Sequence, residues 1–385
     1  MFADRTNWNL EENRLTRALA RRRAAGSAVL DLSASNPTAC GFSFDEAAIL
    51  RALASPQALH YSPDPLGLSA ARGAVQDYYA QLGAAVARED ILLTTGTSEA
   101  YSFIFRTLCD PGDEILIPTP SYPLFDFLAE IHDVRLLRYA LLYDHGWQID
   151  FYSIERAIGP RTRAAIVVHP NNPTGHYAKA AEAAQLAEIC ARHDLALIAD
   201  EVFYDFSFLP QAPASFAAGG GALTFVLSGL SKICGLPQMK AGWIVTTGPD
   251  RVKENALSRL EVIADTYLSM SAPVQCALPS LLGLRCDFQK ELMARAKKNL
   301  AELDASLASH HNCSRLQIEG GWNAVLRVPA IRADEDAAVD LLESRDVYVH
   351  PGHFYDFPGD GHMVVSLIIP CEQVAEGIAR VLSFF

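Results

Sequence analysis

Residues 228–243 read SGLSKICGLPQMKAGW. The run sets Lys232 in a Ser/Gly-rich turn directly after a short apolar strand, Thr224–Leu227, and a second cation, Lys240, eight residues further on. A lysine at the end of a buried strand is costly unless something uses its charge or its nitrogen. Two users fit: a carbonyl that forms a Schiff base with it, or a phosphate that pairs with it.

Outward from this run the chain alternates strand and helix. Strands are expected at Ile91–Thr95, Glu114–Ile117, Val134–Leu142, Ala164–Val168, Leu195–Ala199, Leu223–Leu227 and Gly242–Thr246. Helices are expected at Ser98–Leu108, Pro123–Ile131 and Ala178–His193, and the Gly/Ala-rich stretch Ala212–Ala222 reads as a surface loop. Several strands are apolar almost throughout, which implies burial on both faces. Such alternation predicts an α/β fold with a doubly wound, mostly parallel sheet. From about residue 285 the pattern changes to a long charged helix, Phe288–Ala308, short strands (Ala324–Val328, Val347–His350, Met363–Ile368) and a final helix. The expected division is an N-terminal segment (1–45) packing with a smaller α+β domain (281–385), and a large ligand-binding domain (46–280).

Composition narrows the functional classes. The 385 residues are half hydrophobic and one-fifth charged, an ordinary globular profile. A net charge of −13 with no basic stripe argues against nucleic acid. The eight scattered cysteines form no CxxC pair, which suggests reduced thiols and a cytoplasmic setting. The charged N-terminal stretch lacks the apolar centre of a signal peptide, and no apolar run predicts a membrane span.

In doubly wound sheets ligands bind beyond the carboxyl ends of the strands, and the candidate residues sit there. Gly96-Thr97-Ser98 lies between strand and helix, where free N–H groups hold a phosphate, or Ser98 simply caps the helix. Asp200 ends the strand LALIAD and either pairs with a protonated ring nitrogen or is a solvated strand end. HPNNPTG, residues 169–175, marks a tight turn whose asparagines can donate to a ligand oxygen. Tyr61 and Tyr122 occupy Pro-rich loops, suited to stacking on a flat ligand or bonding a phosphate, or else are merely half-buried.

Together HPNNPTG, ADEVFYDF and SGLSK, in this order and spacing, resemble the class I/II aminotransferases, fold-type I enzymes of pyridoxal 5′-phosphate (PLP). The resemblance runs from Asn36-Pro37 to Ser366. It implies that Lys232 holds PLP as a Schiff base and moves the proton of the reaction. It further implies that Asp200 pairs with the ring nitrogen, Asn172 bonds the ring oxygen and Tyr122 stacks on the ring. Gly96, Thr97, Ser98, Ser231 and Lys240 would hold the phosphate, and Tyr61 would reach the site of a neighbouring subunit in a homodimer. Asn36, Trp322, Asn323, His353 and Tyr355 are candidate substrate contacts. His350 and His353 without a third ligand make no case for a metal.

Three departures from the family pattern stand out. Lys240 occupies a place where arginine is usual, and pairs with phosphate as a point charge rather than a fork. Phe203 replaces a tyrosine, so a donor to the ring oxygen is lost unless Tyr204 supplies it. Val364 stands where an arginine clamps the substrate carboxylate. Two charge-assisted bonds are missing there, about a hundredfold in binding. Arg327, Arg14, Arg17 and Arg21 are candidate replacements. The implied activity is transfer of an amino group between an amino acid or amine and a 2-oxo acid. The alternatives are a PLP lyase or racemase on the same fold and a non-catalytic PLP-binding regulator. The chain has no GxSxG, HExxH or GxGxxG to support other chemistry.

Overall fold

The runs ALIAD (196–200) and TFVLSG (224–229) are buried at every position, as their lack of polar alternation requires. The computed structural model describes all 385 residues and places these runs at the centre of an eight-stranded sheet. Its strands are β1 (Ile91–Thr94), β2 (Glu114–Thr119), β3 (Arg135–Tyr143), β4 (Trp147–Ile149), β5 (Thr162–Val168), β6 (Ala196–Asp200), β7 (Thr224–Gly229) and β8 (Gly242–Thr247). In space they run β1-β8-β7-β6-β5-β2-β3-β4. β7, β6, β5, β2 and β3 are mutually parallel, while β8 and β4 are antiparallel to their neighbours.

Successive residues of each strand enter opposite helical layers. Leu116, Ala165, Val167 and Val226 face the helices Ser69–Gln81, Ala180–Arg192 and Ala272–Gly283. Ile115, Ile117, Ile166 and Leu227 face Thr97–Leu108, Leu124–Ile131 and Asp250–Tyr267. The sheet is therefore covered on both sides, as a parallel sheet must be.

A second core forms around an antiparallel sheet of β9 (Ser314–Arg315), β10 (Asn323–Arg327), β11 (His350–Pro351) and β12 (His362–Ser366), ordered β9-β10-β12-β11. It is covered by the helices Arg285–Leu307, Asp334–Arg345 and Cys371–Phe384. Leu15, Ala18 and Leu32 of the N-terminal segment belong to this core, and Leu30–Asp31 pairs in parallel with Val347–Tyr348. No helix is long and apolar enough to cross a membrane.

Two expectations change. The stretch 212–222 is not wholly a surface loop: Ser215, Phe216 and Ala217 are buried. Ser215 Oγ and the Phe216 amide donate to the Glu201 carboxylate at 2.6 and 2.7 Å, and satisfying that buried acid pulls the segment inward. The expected strand 347–350 is two short pieces on different sheets, because Val349 pairs with neither.

The parallel strands end along one edge. Thr119, Val168, Asp200 and Gly229 close β2, β5, β6 and β7 there, and Gly242 opens the antiparallel β8 at the same edge. The chain leaves β2 towards β3 and β5 towards β6, in opposite directions, so a crevice opens between β2 and β5. Glycine is required at the edge. A Cβ on Gly242 would come within 3.0 Å of the Gly96 backbone, and one on Gly229 within 2.6 Å of the Ala241 carbonyl oxygen.

Candidate active site

A cavity of about 300 Å³ lies at this edge, between the large sheet and the small one. Asp200, Lys232, Asn172, Thr97, Ser231, Tyr122, Trp322, Asn323 and Tyr355 all line it. These residues come from seven separate parts of the chain, brought together between the shared strand edge and the small sheet.

Asp200 is buried. Its Oδ2 accepts the Tyr101 hydroxyl at 2.9 Å and its Oδ1 accepts the Val202 amide at 3.1 Å. Burial pushes its pKa up to about 6, against the pull of these two bonds and of Lys232. Each oxygen keeps a lone pair for a further donor. Lys232 projects from the one-turn helix Leu230–Ile233. Burial brings its pKa down to about 8, with Asp200 opposing the drop. Its ammonium lies 4.9 Å from the Trp322 ring centroid and 5.3 Å from that of Phe203, over aromatic faces that favour a cation.

Asn323 Nδ2 donates to Asn172 Oδ1 at 2.8 Å, which leaves the Asn172 amide N–H₂ free for a ligand. The neighbouring Asn171 spends its amide on the Pro120 carbonyl and the Thr174 hydroxyl, tying the turn after β5 to the loop after β2. Gly175 has φ +72°, and a Cβ there would sit 2.6 Å from the Gly320 carbonyl oxygen. That contact holds the turn against the segment carrying Trp322. The helix Thr97–Leu108 begins beside the cavity with no side-chain cap, so its first N–H groups and its dipole are available to an anion.

Other sequence candidates lie elsewhere. Ser98 and Lys240 are exposed and outside the lining, next to Thr97 and Ala241, which are in it. Gly96 precedes the helix at φ 157°. Tyr61 is 80 % exposed and does not line the cavity of its own chain. Asn36 is exposed and caps a short turn through Thr38, and His353 is exposed. Tyr204 points away. Its hydroxyl donates to the Pro213 carbonyl at 2.8 Å, so it cannot supply the donor that Phe203 lacks. The four arginines proposed to replace the missing clamp do not line the cavity either. Arg14 pairs with Asp336 and Arg21 with Glu343, Arg17 is exposed, and Arg327 lies over the Tyr143 ring.

Ser33, Ser35, His350 and Phe354 line the cavity unforeseen in that role, while Val364 lines it at the position expected of the missing clamp. Tyr101, which bonds Asp200, was missed; its place four residues after Thr97, on the same helix face, was the signal that could have found it.

The match to known proteins agrees with this geometry. Residues 8–380 fit the model of the family described as aminotransferase class I and II. The chain belongs to that family. Its members depend on PLP, and the chain is a PLP-dependent aminotransferase. It is 29 % identical over 381 residues to an alanine aminotransferase of Mycobacterium tuberculosis, covering 95 % of this chain and 87 % of that one. It is 31 % identical over 268 residues to the glutamate-pyruvate aminotransferase AlaA of Escherichia coli, covering 67 % and 64 %. Among solved structures, an alanine aminotransferase from Pyrococcus furiosus superimposes with a TM-score of 0.89 at 24 % identity, over 100 % of this aminotransferase and 99 % of that chain. The likeness fixes the fold.

The residues present fit PLP. The cavity offers a buried carboxylate with spare acceptor capacity, an amine without a hydrogen-bonding partner, a free amide donor and an uncapped helix start.

Proposed function

We propose that this aminotransferase moves an amino group from an amine donor to a 2-oxo acid, with Lys232 as the residue that holds PLP and carries the proton. The observation behind this assignment is that Lys232 and Asp200, ammonium and carboxylate, line one cavity and influence each other's ionisation.

Bound there, PLP supplies a carbonyl that condenses with the donor amine and a ring that draws electron density from the donor's α-carbon. Asp200 holds the protonated ring nitrogen, and Tyr101 and the Val202 amide fix the carboxylate for it. Asn172 donates to the ring oxygen and Tyr122 covers the ring. Thr97 and Ser231, which line the cavity, would hold the phosphate through backbone N–H groups and hydroxyls, with Gly96, Ser98 and the Lys240 ammonium beside them. Lys232 Nζ takes the proton from the donor's α-carbon and returns it. A pKa near 8 suits that task, because a group whose pKa lies close to the working pH is available both to take a proton and to return it. Trp322 and Phe203 pack edge to face at 5.3 Å and keep water from one side of Nζ.

The same reading takes the protein as a cytoplasmic homodimer. The exposed Tyr61 would reach the site of a second copy, and the eight unpaired thiols suit a reducing compartment. Residues 46–280 form the large domain and 281–385 the small one, with 1–45 packing against the small domain. The test is transfer of ¹⁵N from a labelled amine to a 2-oxo acid, followed by mass spectrometry. Label in the new amino acid, lost in Lys232→Ala, is expected. Release of labelled ammonia instead would overturn the reading.

A further inference from the structure

Val364 lies on β12 between Val325 of β10 and His350 of β11, and it faces the cavity with Phe354 and Tyr355. Among the 21 lining residues Lys232 is the one lysine or arginine and Asp200 the one acid. His350 does not add a charge. Burial holds its imidazole below the ordinary value, and its Nδ1 lies 3.0 Å from the Tyr355 hydroxyl.

Arginines nearby are spent elsewhere. Arg138 already pairs with Asp126 and Asp356, and Arg295 bonds the carbonyls of Gly41 and Ile368. The neutral donors are partly spent as well. Asn323 serves Asn172, and the Ser33 hydroxyl donates to Asp31 at 2.7 Å. What remains is the Ser35 hydroxyl, the His350–Tyr355 pair and the buried Trp322 Nε1, which has no partner. Neutral donors beside an apolar wall suit an uncharged group. A carboxylate taken from water into such a wall loses its hydration and gains no counter-charge.

We propose that the amino donor of this enzyme carries no free carboxylate on its α-carbon, and that an amide, ester, hydroxymethyl or hydrocarbon group meets Val364, Phe354 and Tyr355 in its place. The inference rests on the aminotransferase reading and names its substrate class. The donor loses its amino group and α-hydrogen and becomes an aldehyde or ketone. The 2-oxo acid gains both and becomes an amino acid, water supplies the donor's new carbonyl oxygen and carries away that of the oxo acid, and atoms and electrons balance without another oxidant. Lacking the same cation, the enzyme binds its 2-oxo acid weakly.

The experiment uses the PLP-loaded wild-type enzyme and two matched series: alanine, alaninamide and ethylamine; phenylalanine, phenylalaninamide and 2-phenylethylamine. Conversion of the cofactor to its amino form is followed by absorbance. The better carboxylate-free member of a series is expected to exceed the amino acid in kcat/KM by about a hundredfold, the worth of two lost charge-assisted bonds. Calorimetry with unreactive 3-phenylpropanamide and 3-phenylpropanoate reads the same preference without turnover, and tighter binding of the amide is expected. Amino acids used equally well or better, or acid bound as tightly as amide, overturn the proposal. Val364→Arg is expected to reverse the order. If that variant fails to fold, seen in its melting and cofactor absorbance, the wild-type series decides alone. If no amine reacts while the amide still binds more tightly, the aminotransferase reading falls and the ligand preference stands.

Discussion

Asn323 donates its side-chain amide to Asn172 Oδ1 across 2.8 Å, joining the small sheet to the turn after β5. The bond fixes the Asn172 side chain with its N–H₂ towards the cavity. Asn172 thus contacts the cofactor and Asn323 acts through it, which a double-mutant cycle separates. Asn172→Ala is expected to weaken PLP binding about fivefold to tenfold, the worth of one hydrogen bond. Asn323→Ala is expected to cost about threefold, and the double variant no more than Asn172→Ala. Kd values from fluorescence titration provide the check. Additive losses would show that Asn323 acts on its own.

Asp200→Asn keeps the shape of the side chain and removes its charge. The half-reaction rate is expected to fall by about a hundredfold to a thousandfold, because the ring nitrogen loses its counter-ion. Tyr101→Phe takes away only one bond to Asp200 and is expected to cost about tenfold. That bond lowers the Asp200 pKa, so its loss moves the acidic limb of the rate profile to higher pH. A lower rate with an unmoved limb would make Tyr101 merely structural.

Glu201 gives a stability prediction. Burial raises its pKa to about 8, with Asp205 and Asp200 adding to the rise, against about 4.3 in the unfolded chain. Between these values the folded state binds the extra proton, so stability falls as pH rises through that window. Glu201→Gln removes this dependence. The melting temperature of the wild type, relative to the variant, is expected to decline from pH 5 to pH 8 and level off above. A difference independent of pH would contradict the assignment.

Sequence reveals residues that sit where an element begins or ends, because the change of pattern marks them. Asp200 closes a continuously apolar strand, Thr97 opens a helix, and Lys232 follows β7 within three residues. The doubly wound sheet was legible for the same reason: strands such as ALIAD have no polar face to put in water. Ser33, Ser35 and Phe354 carry no local mark. The serines reach the cavity because the N-terminal segment joins the second core and pairs with residues 347–348, and Phe354 reaches it from the turn after β11. Whether Tyr204 could stand in for the donor that Phe203 lacks was open for a local reason. The two lie in an irregular turn after β6, where no period of two or 3.6 says which of two adjacent aromatics faces in. The tertiary bond from Tyr204 to Pro213 decides it.

The central claim is that Lys232 carries the cofactor, and it is tested most directly by reducing the PLP-loaded protein with borohydride and mapping the modified peptide by mass spectrometry. One phosphopyridoxyl group per chain is expected, on Lys232, and none in Lys232→Ala. A label on Lys240 or another lysine, or full labelling of the variant, would contradict it.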